Sequence, residues 1–415
     1  LINLHIGWLF YFTDLREQAL VALALGNEEI EEIDDQDIRS QSAQFLGIYF
    51  FIQGKFREAF NYLEIALRTF ESKTDPVVDN PLIPIFFGYC AAYLGIYHRS
   101  IGSLDFGFRL SLERSDKSLS STIRSALGMI LVVLGKTQQG SYHLEKALAG
   151  ATASQNALGI YFSRGGIAVR HFMAGYIGKS YEILRQTLVE GTRAGLVRQF
   201  SSPWVLEMLY EYYRLGFESI PDFHYPDVVE RIMADVNVHL QGVAHRLRAK
   251  DDFNLGKDLH LIEKELARSE KCLRMAADPV QLSKTLLESA RLALSRGDRK
   301  EASRLAQEAR YCLGGYYDEF FPVEFQHLLE DHQLGVKQDQ SQKALMEKFL
   351  EMIESLYPSE SQEEIFSKVM IETCRMFGAE RSGFFWFPAS RSVAKAELRA
   401  HLNLSPKEVA SDNFK

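Results

Sequence analysis

The chain has 415 residues, 46% hydrophobic and 25% charged, with a formal net charge of -8. That length exceeds one small core and asks for roughly two or three domains or a repeat array. The charge is spread along the sequence, which argues against the clustered basic face that phosphate contacts need.

The opening run Leu1 to Leu15 is apolar, but no basic segment precedes it and no small-residue cleavage site follows. No segment reaches the ~18 uncharged apolar residues of a membrane helix. The four cysteines, Cys90, Cys272, Cys312 and Cys374, are far apart and form no CxxC pair, so reduced thiols and a cytoplasmic location are expected. The chain lacks an initiator Met and stops in mid-pattern, as a piece of a longer polypeptide would.

An internal repeat organises most of the chain. Gly54 recurs as Gly95, Gly135, Gly175 and Gly216, at steps of 41, 40, 40 and 41, then as Gly256 and Gly297; one step back reaches Asp14. Seven residues before these positions stand Gly7, Gly47, Gly88, Gly128 and Ala168. Five after them stand Ala19, Ala59, Ser100, Gly140, Ser180 and Ala302, and nine after them Leu23, Leu63, Leu104, Leu144 and Leu184. Offsets five, nine and twelve describe one buried helical stripe. The glycine itself supplies the positive φ that ends the preceding helix. Each unit is thus a helical hairpin, and stacked hairpins make an α-solenoid.

Six and three residues before the turn stand Ile48 and Phe51, Tyr89, Met129 and Val132, Val169 and Phe172, and Tyr210 and Tyr213. Two readings stay open for this row. It lines a concave groove for a protein or peptide, or it completes the packing between hairpins.

The motif Gly135-Lys136-Thr137 imitates a phosphate loop but has Ile130 where the loop needs a glycine, so it reads as a hairpin turn. The pattern departs at Gly216 and Gly256, where Pro221 and Leu261 take the small-residue place. The expectation is regular hairpins to about 216, an irregular stretch over 217–280 and a regular hairpin over 281–315. Within it, the basic run His245 to Lys250 reads as a solvated helix face, with a contact patch as the lesser alternative.

The ruler fails past residue 330. Residues 331–343 read as a linker, and helical spacing then resumes, with Ser361 and Glu364 forming a capping box. Gly378 ends that helix. The aromatic run Ala379 to Phe387 and the alternating run Ala394 to Leu404 read as strands.

No catalytic constellation is found: His143, His171, His239, His245 and His260 are isolated, and no HExxH or GxSxG occurs. Neither a metal site nor a cofactor is expected, and Arg381 reads as a structural ion-pair partner.

The hairpins resemble the tetratricopeptide repeat, in the longer form of MalT-like bacterial regulators. "FGAERSGFFWF" with "ELRAHLNLSPKEV" resembles the beginning of a GAF sensor domain. The resemblances imply a mainly α chain: a right-handed α-solenoid over 1–330 and the N-terminal, truncated α+β part of a GAF domain over 344–415. They also imply a non-enzymatic regulatory segment of a bacterial signalling protein, closest in pattern to sigma-54-dependent transcriptional regulators. A small effector at the GAF domain would go with it. The sensory region of a serine/threonine or histidine kinase is the alternative, and a passive scaffold the third reading.

Overall fold

The computed structural model describes residues 1–12, 15–33, 36–72, 82–196, 202–330, 382–386 and 397–402. They fall into two compact units, Leu1–Leu329 and Glu330–Lys415.

The first unit is built of helix pairs: α1 (Ile2–Phe12) with α2 (Arg16–Glu31), α3 (Gln36–Ile52) with α4 (Phe56–Ser72), α5 (Ile83–Tyr93) with α6 (Tyr97–Glu113), α7 (Lys117–Val133) with α8 (Thr137–Ala153), and α9 (Ala157–Met173) with α10 (Ile177–Arg193). Then come α11 (Pro203–Arg214), the short α12 (Tyr225–Met233), the pairs α13 (Val238–Asn254) with α14 (Leu259–Ala276) and α15 (Pro279–Ser295) with α16 (Arg299–Leu313), and two single turns, α17 (Tyr317–Phe320) and α18 (His327–Glu330). The first helices of successive pairs pack on one another, α3 on α5, α5 on α7, α7 on α9, α11 on α13 and α13 on α15. They form one continuous layer of a helical-repeat solenoid.

The seven turn glycines all have φ between 68° and 78°. At Gly135 the next N–H, that of Lys136, donates back to the Leu131 carbonyl at 2.9 Å, and Ile96 does the same to Ala91 at 2.8 Å. This satisfies carbonyls that the helix end would leave open. Asp14 lies outside the described residues.

The paired glycine and leucine positions meet inside the first four hairpins. A Cβ on Gly47 would stand 2.6 Å from Leu63 Cγ, one on Gly88 2.6 Å from Leu104 Cγ and one on Gly128 2.9 Å from Leu144 Cγ. Leu63, Leu104 and Leu144 are fully buried. The leucine lies across the facing helix, and at these three crossings a methyl group would press on it.

A second ruler runs between hairpins, one that the turn-glycine spacing does not reveal. Ser115, Gln155 and Ala277 carry positive φ, and the next residue caps a first helix: Asp116 accepts from Leu119 N at 2.9 Å, Asn156 from Gly159 N at 3.1 Å and Asp278 from Gln281 N at 2.9 Å. Asn237 holds the same place before α13, accepting from Leu240 N at 2.9 Å. These caps recur at about the repeat period because each satisfies the orphan N–H groups of a new first helix.

The irregular stretch is narrower than 217–280. After α11 the chain turns at Pro221 and Asp222, the latter at φ 65°, and makes only the nine-residue α12. Regularity returns at Asn237. The Gly256 unit is a full hairpin whose turn is one residue longer, since Asp258 rather than the residue after the glycine is the cap. The buried stripe moves by one accordingly: Ile262, Leu266, Ser269 and Leu273 are buried while Leu261 is 53% exposed.

The basic run is likewise not a solvated face. His245 Nδ1 lies 2.6 Å from Glu265, Arg246 is buried against Glu207, Arg248 pairs with Glu230, and Lys250 lies 3.9 Å from Glu288. These side chains tie α13 to α14, α11, α12 and α15 in turn.

The solenoid also meets itself. Asn237 Nδ2 donates to the Ile52 carbonyl at 2.9 Å and Val238 N to the Gln53 carbonyl at 2.9 Å. His239 lies edge-on to Phe56, with ring centroids 4.9 Å apart. One hairpin on, a Cβ on Gly95 would stand 3.0 Å from Pro279 Cγ. The turns of the second and third hairpins thus dock on the first turns of α13 and α15. This seam closes one superhelical turn.

In the second unit the described residues are two strands, β1 (Ser382–Trp386) and β2 (Glu397–Leu402), paired antiparallel. Ser382 faces Leu402 and Trp386 faces Glu397, with a register shift between Phe384 and Phe385. A two-stranded ladder is too small to identify a fold. The linker, the capping box at Ser361, Gly378, Arg381 and Cys374 lie outside the described residues.

Candidate ligand site

Among the described residues, a pair of neighbouring cavities lies inside the closed superhelix of the first unit. The upper one, of about 120 Å³, is lined by Phe51 of α3, Phe86, Tyr89 and Tyr93 of α5, Met129 of α7, Tyr161, Phe162, Gly165 and Val169 of α9, and Trp204 of α11. Among the described residues its remaining lining brings in no charged side chain. The lower one, of about 170 Å³, shares Tyr93, Val169 and Trp204 with the upper and adds Tyr97, Phe172, Phe320, Glu207, Asp278, Gln281 and Lys284. The Tyr93 and Trp204 rings stack 5.7 Å apart at 27° between them.

The repeat itself explains the aromatic wall. Of the positions six and three before a turn glycine, Phe51, Tyr89, Met129, Val169 and Phe172 face the inside of the superhelix, on the side of the first helix that its hairpin partner leaves open.

Charge in the lower cavity is internally paired. Glu207 accepts from Arg246 Nη2 at 2.7 Å and from Lys284 Nζ at 2.7 and 2.8 Å, and Arg246 also donates to Gln281 Oε1 at 2.6 Å. Burial pushes the Glu207 carboxyl up, but Lys284 and Arg246 outweigh it and hold it down at about 2. Asp278 Oδ2 lies 2.9 Å from His239 Nε2, both side chains buried. Burial raises Tyr89 and Tyr93 well above the ordinary tyrosine range, so both hydroxyls stay neutral hydrogen-bonding groups.

The nine residues of the predicted row do not form one exposed strip. Phe51, Tyr89, Met129 and Val169 converge on the upper cavity, and Phe172 lines the lower one. Ile48, Val132 and Tyr210 are at most 2% exposed and pack in the core. They belong to the apolar core clusters of the unit. Tyr213 is 42% exposed and stacks on Tyr225 at 5.2 Å. Trp204, Tyr93 and Gly165 also line the cavities but lie off the row, so the repeat spacing does not point to them.

Of the isolated histidines, His239 and His245 are partnered by carboxylates. Among the described residues no group of His, Cys, Asp and Glu could hold a metal ion, and no helix is long and apolar enough to cross a membrane. Gly135 sits in a hairpin turn at φ 73°, as expected of that motif.

No family model matches the chain, nor does any curated protein. Among solved structures it is similar to the apo form of RapI, at 12% identity and TM-score 0.39, covering 75% of this chain and 97% of that one. It is also similar to a monomeric mutant of IFIT1 with Gppp-AAAA, at 15% identity and TM-score 0.26, covering 91% and 87%. At such low similarity neither likeness carries an inference about function.

Proposed function

We propose that this chain is a non-catalytic, effector-receiving segment of a multidomain signalling protein. The observation that carries it is the closed seam around aromatic-lined cavities: a binding site inside a superhelix is coupled to the superhelix's own closure. The irregular residues after α11 lead directly into Asn237, so a ligand that repositions α11 through Trp204 would reach the seam without crossing a regular hairpin. A change there alters the packing of α13 and α15, and through them the end of the array. Such coupling needs a ligand with different affinity for the open and closed seam.

The finer reading joins this receiver to a GAF-like sensor in a bacterial transcriptional regulator of the sigma-54-dependent kind. It rests on the resemblance of "FGAERSGFFWF" and on the antiparallel ladder of β1 and β2. A kinase-linked sensory region is the alternative. The test is regulated output in the intact gene product. Loosening the seam with Asn237→Ala should change transcription or phosphorylation by the folded protein, and which of the two responds selects between the readings. An output indifferent to the seam would sink both.

A further inference from the structure

Helix α9 carries two adjacent glycines in its interior. Gly166 is explained by packing, since a Cβ there would stand 2.5 Å from Leu144 Cδ2. Gly165 is not: a Cβ on it would meet nothing within 4 Å, and the residue lines the upper cavity. A glycine inside a helix lowers stability relative to alanine, and neither backbone geometry nor packing asks for one here. What Gly165 provides is room.

The chemistry of that room is narrow. Among the described residues its lining contains no charged side chain, so an ionised ligand would lose its water without gaining a counter-charge from them. The half-buried Tyr89, Tyr93 and Trp204 side chains stand in its wall, and their hydroxyls and indole N–H can hydrogen-bond a neutral ligand. The volume of about 120 Å³ is close to that of an engineered apolar cavity of about 150 Å³ that takes up benzene. We propose that the upper cavity binds a neutral, single-ring aromatic molecule bearing one hydroxyl, its ring between Gly165 and the Phe51 and Met129 side chains and its hydroxyl toward Tyr89, Tyr93 and Trp204.

This ligand class rests on the effector-receiving reading but fails separately. If seam variants change the output while no such ring binds, the class falls and the reading stands; the converse result reverses that.

The experiment is calorimetric titration of the full chain with phenol, with benzoate and benzylammonium as ionic probes of similar size. Phenol should bind saturably, about tenfold or more tighter than either ion, which is ~1.4 kcal/mol. Gly165→Leu fills the space and should weaken phenol by about tenfold or more without lowering the melting temperature. Tyr89→Phe, which keeps the shape, should weaken phenol roughly fivefold through the lost hydrogen bond and leave toluene unchanged. No saturable binding to the wild type, an ion binding as tightly as phenol, or full affinity in Gly165→Leu would each overturn the proposal. Should Gly165→Leu fail to fold, the Tyr89→Phe contrast between phenol and toluene decides it alone.

Discussion

The Asn237 side chain donates to the Ile52 carbonyl oxygen at 2.9 Å across 185 residues of sequence. Its other side-chain atom, Oδ1, caps α13 by accepting from Leu240 N. One residue thus starts a helix and fastens the superhelix to its own second hairpin. Asn237→Ala should cost more than the ~1 kcal/mol of an ordinary cap, by about another 0.5–1.5 kcal/mol for the seam hydrogen bond. Asp116→Ala, which removes a cap alone, is the reference. Urea denaturation of the two variants measures the difference, and equal losses would mean the seam bond contributes nothing.

The glycine and the leucine that cross inside each of the first four hairpins should behave as one unit. Gly47→Ala forces a methyl against Leu63 and should cost roughly 1–3 kcal/mol. Leu63→Ala alone should cost roughly 2–5 kcal/mol. In the double variant the new methyl occupies space the leucine vacated, so the sum should fall short by at least ~0.5 kcal/mol. Strict additivity in a double-mutant cycle would show that the two do not meet.

These crossings were legible in the sequence because they are local: Gly47 and Leu63 belong to one hairpin, and the ruler carries both. The register of α14 was not, since Lys257 lengthens its turn by one and slides the buried stripe from Leu261 to Ile262. A fixed offset cannot follow an insertion. The seam left no periodic mark at all, because Gly54 meets Asn237 only through the pitch of the superhelix. For the same reason the row from Ile48 to Tyr213 could not be divided in advance into cavity wall and core. Phe51 and Tyr89 face a space that the far side of the coil encloses, whereas Ile48 and Val132 belong to the apolar core clusters.

The shifted stripe has its own check. Leu261→Ser should change stability by less than about 0.5 kcal/mol, as for an exposed site. Ile262→Ser should cost about 2–5 kcal/mol, as for burying a hydroxyl in place of a packed side chain. Thermal melts of the pair read this directly, and the reverse order would restore the unshifted register.

Glu207 predicts a pH dependence. Its carboxyl is held at about 2, below the ordinary value of 4.5, with burial opposing and Lys284 and Arg246 prevailing. A depressed folded-state pKa stabilises the protein above the unfolded value, and that contribution is lost as pH falls toward the folded one. The stability advantage of the wild type over Glu207→Gln should therefore be full near neutrality and shrink between about pH 5 and pH 2. Chemical denaturation of both proteins across that range would show it, and a pH-independent gap would contradict the pairing.

The superhelix closes on itself at the turn of its second hairpin, and two glycines isolate that closure. Gly54 and Gly135 occupy the same turn at φ 71° and 73°, so alanine strains both backbones alike. At Gly135 the added methyl meets nothing within 4 Å, whereas at Gly54 it would stand 2.6 Å from Asn237 Oδ1 and 2.7 Å from His239 N. Measured by denaturant unfolding, Gly135→Ala should cost about 1–2 kcal/mol and Gly54→Ala roughly 1–3 kcal/mol more. Equal costs at the two turns would contradict the closed superhelix.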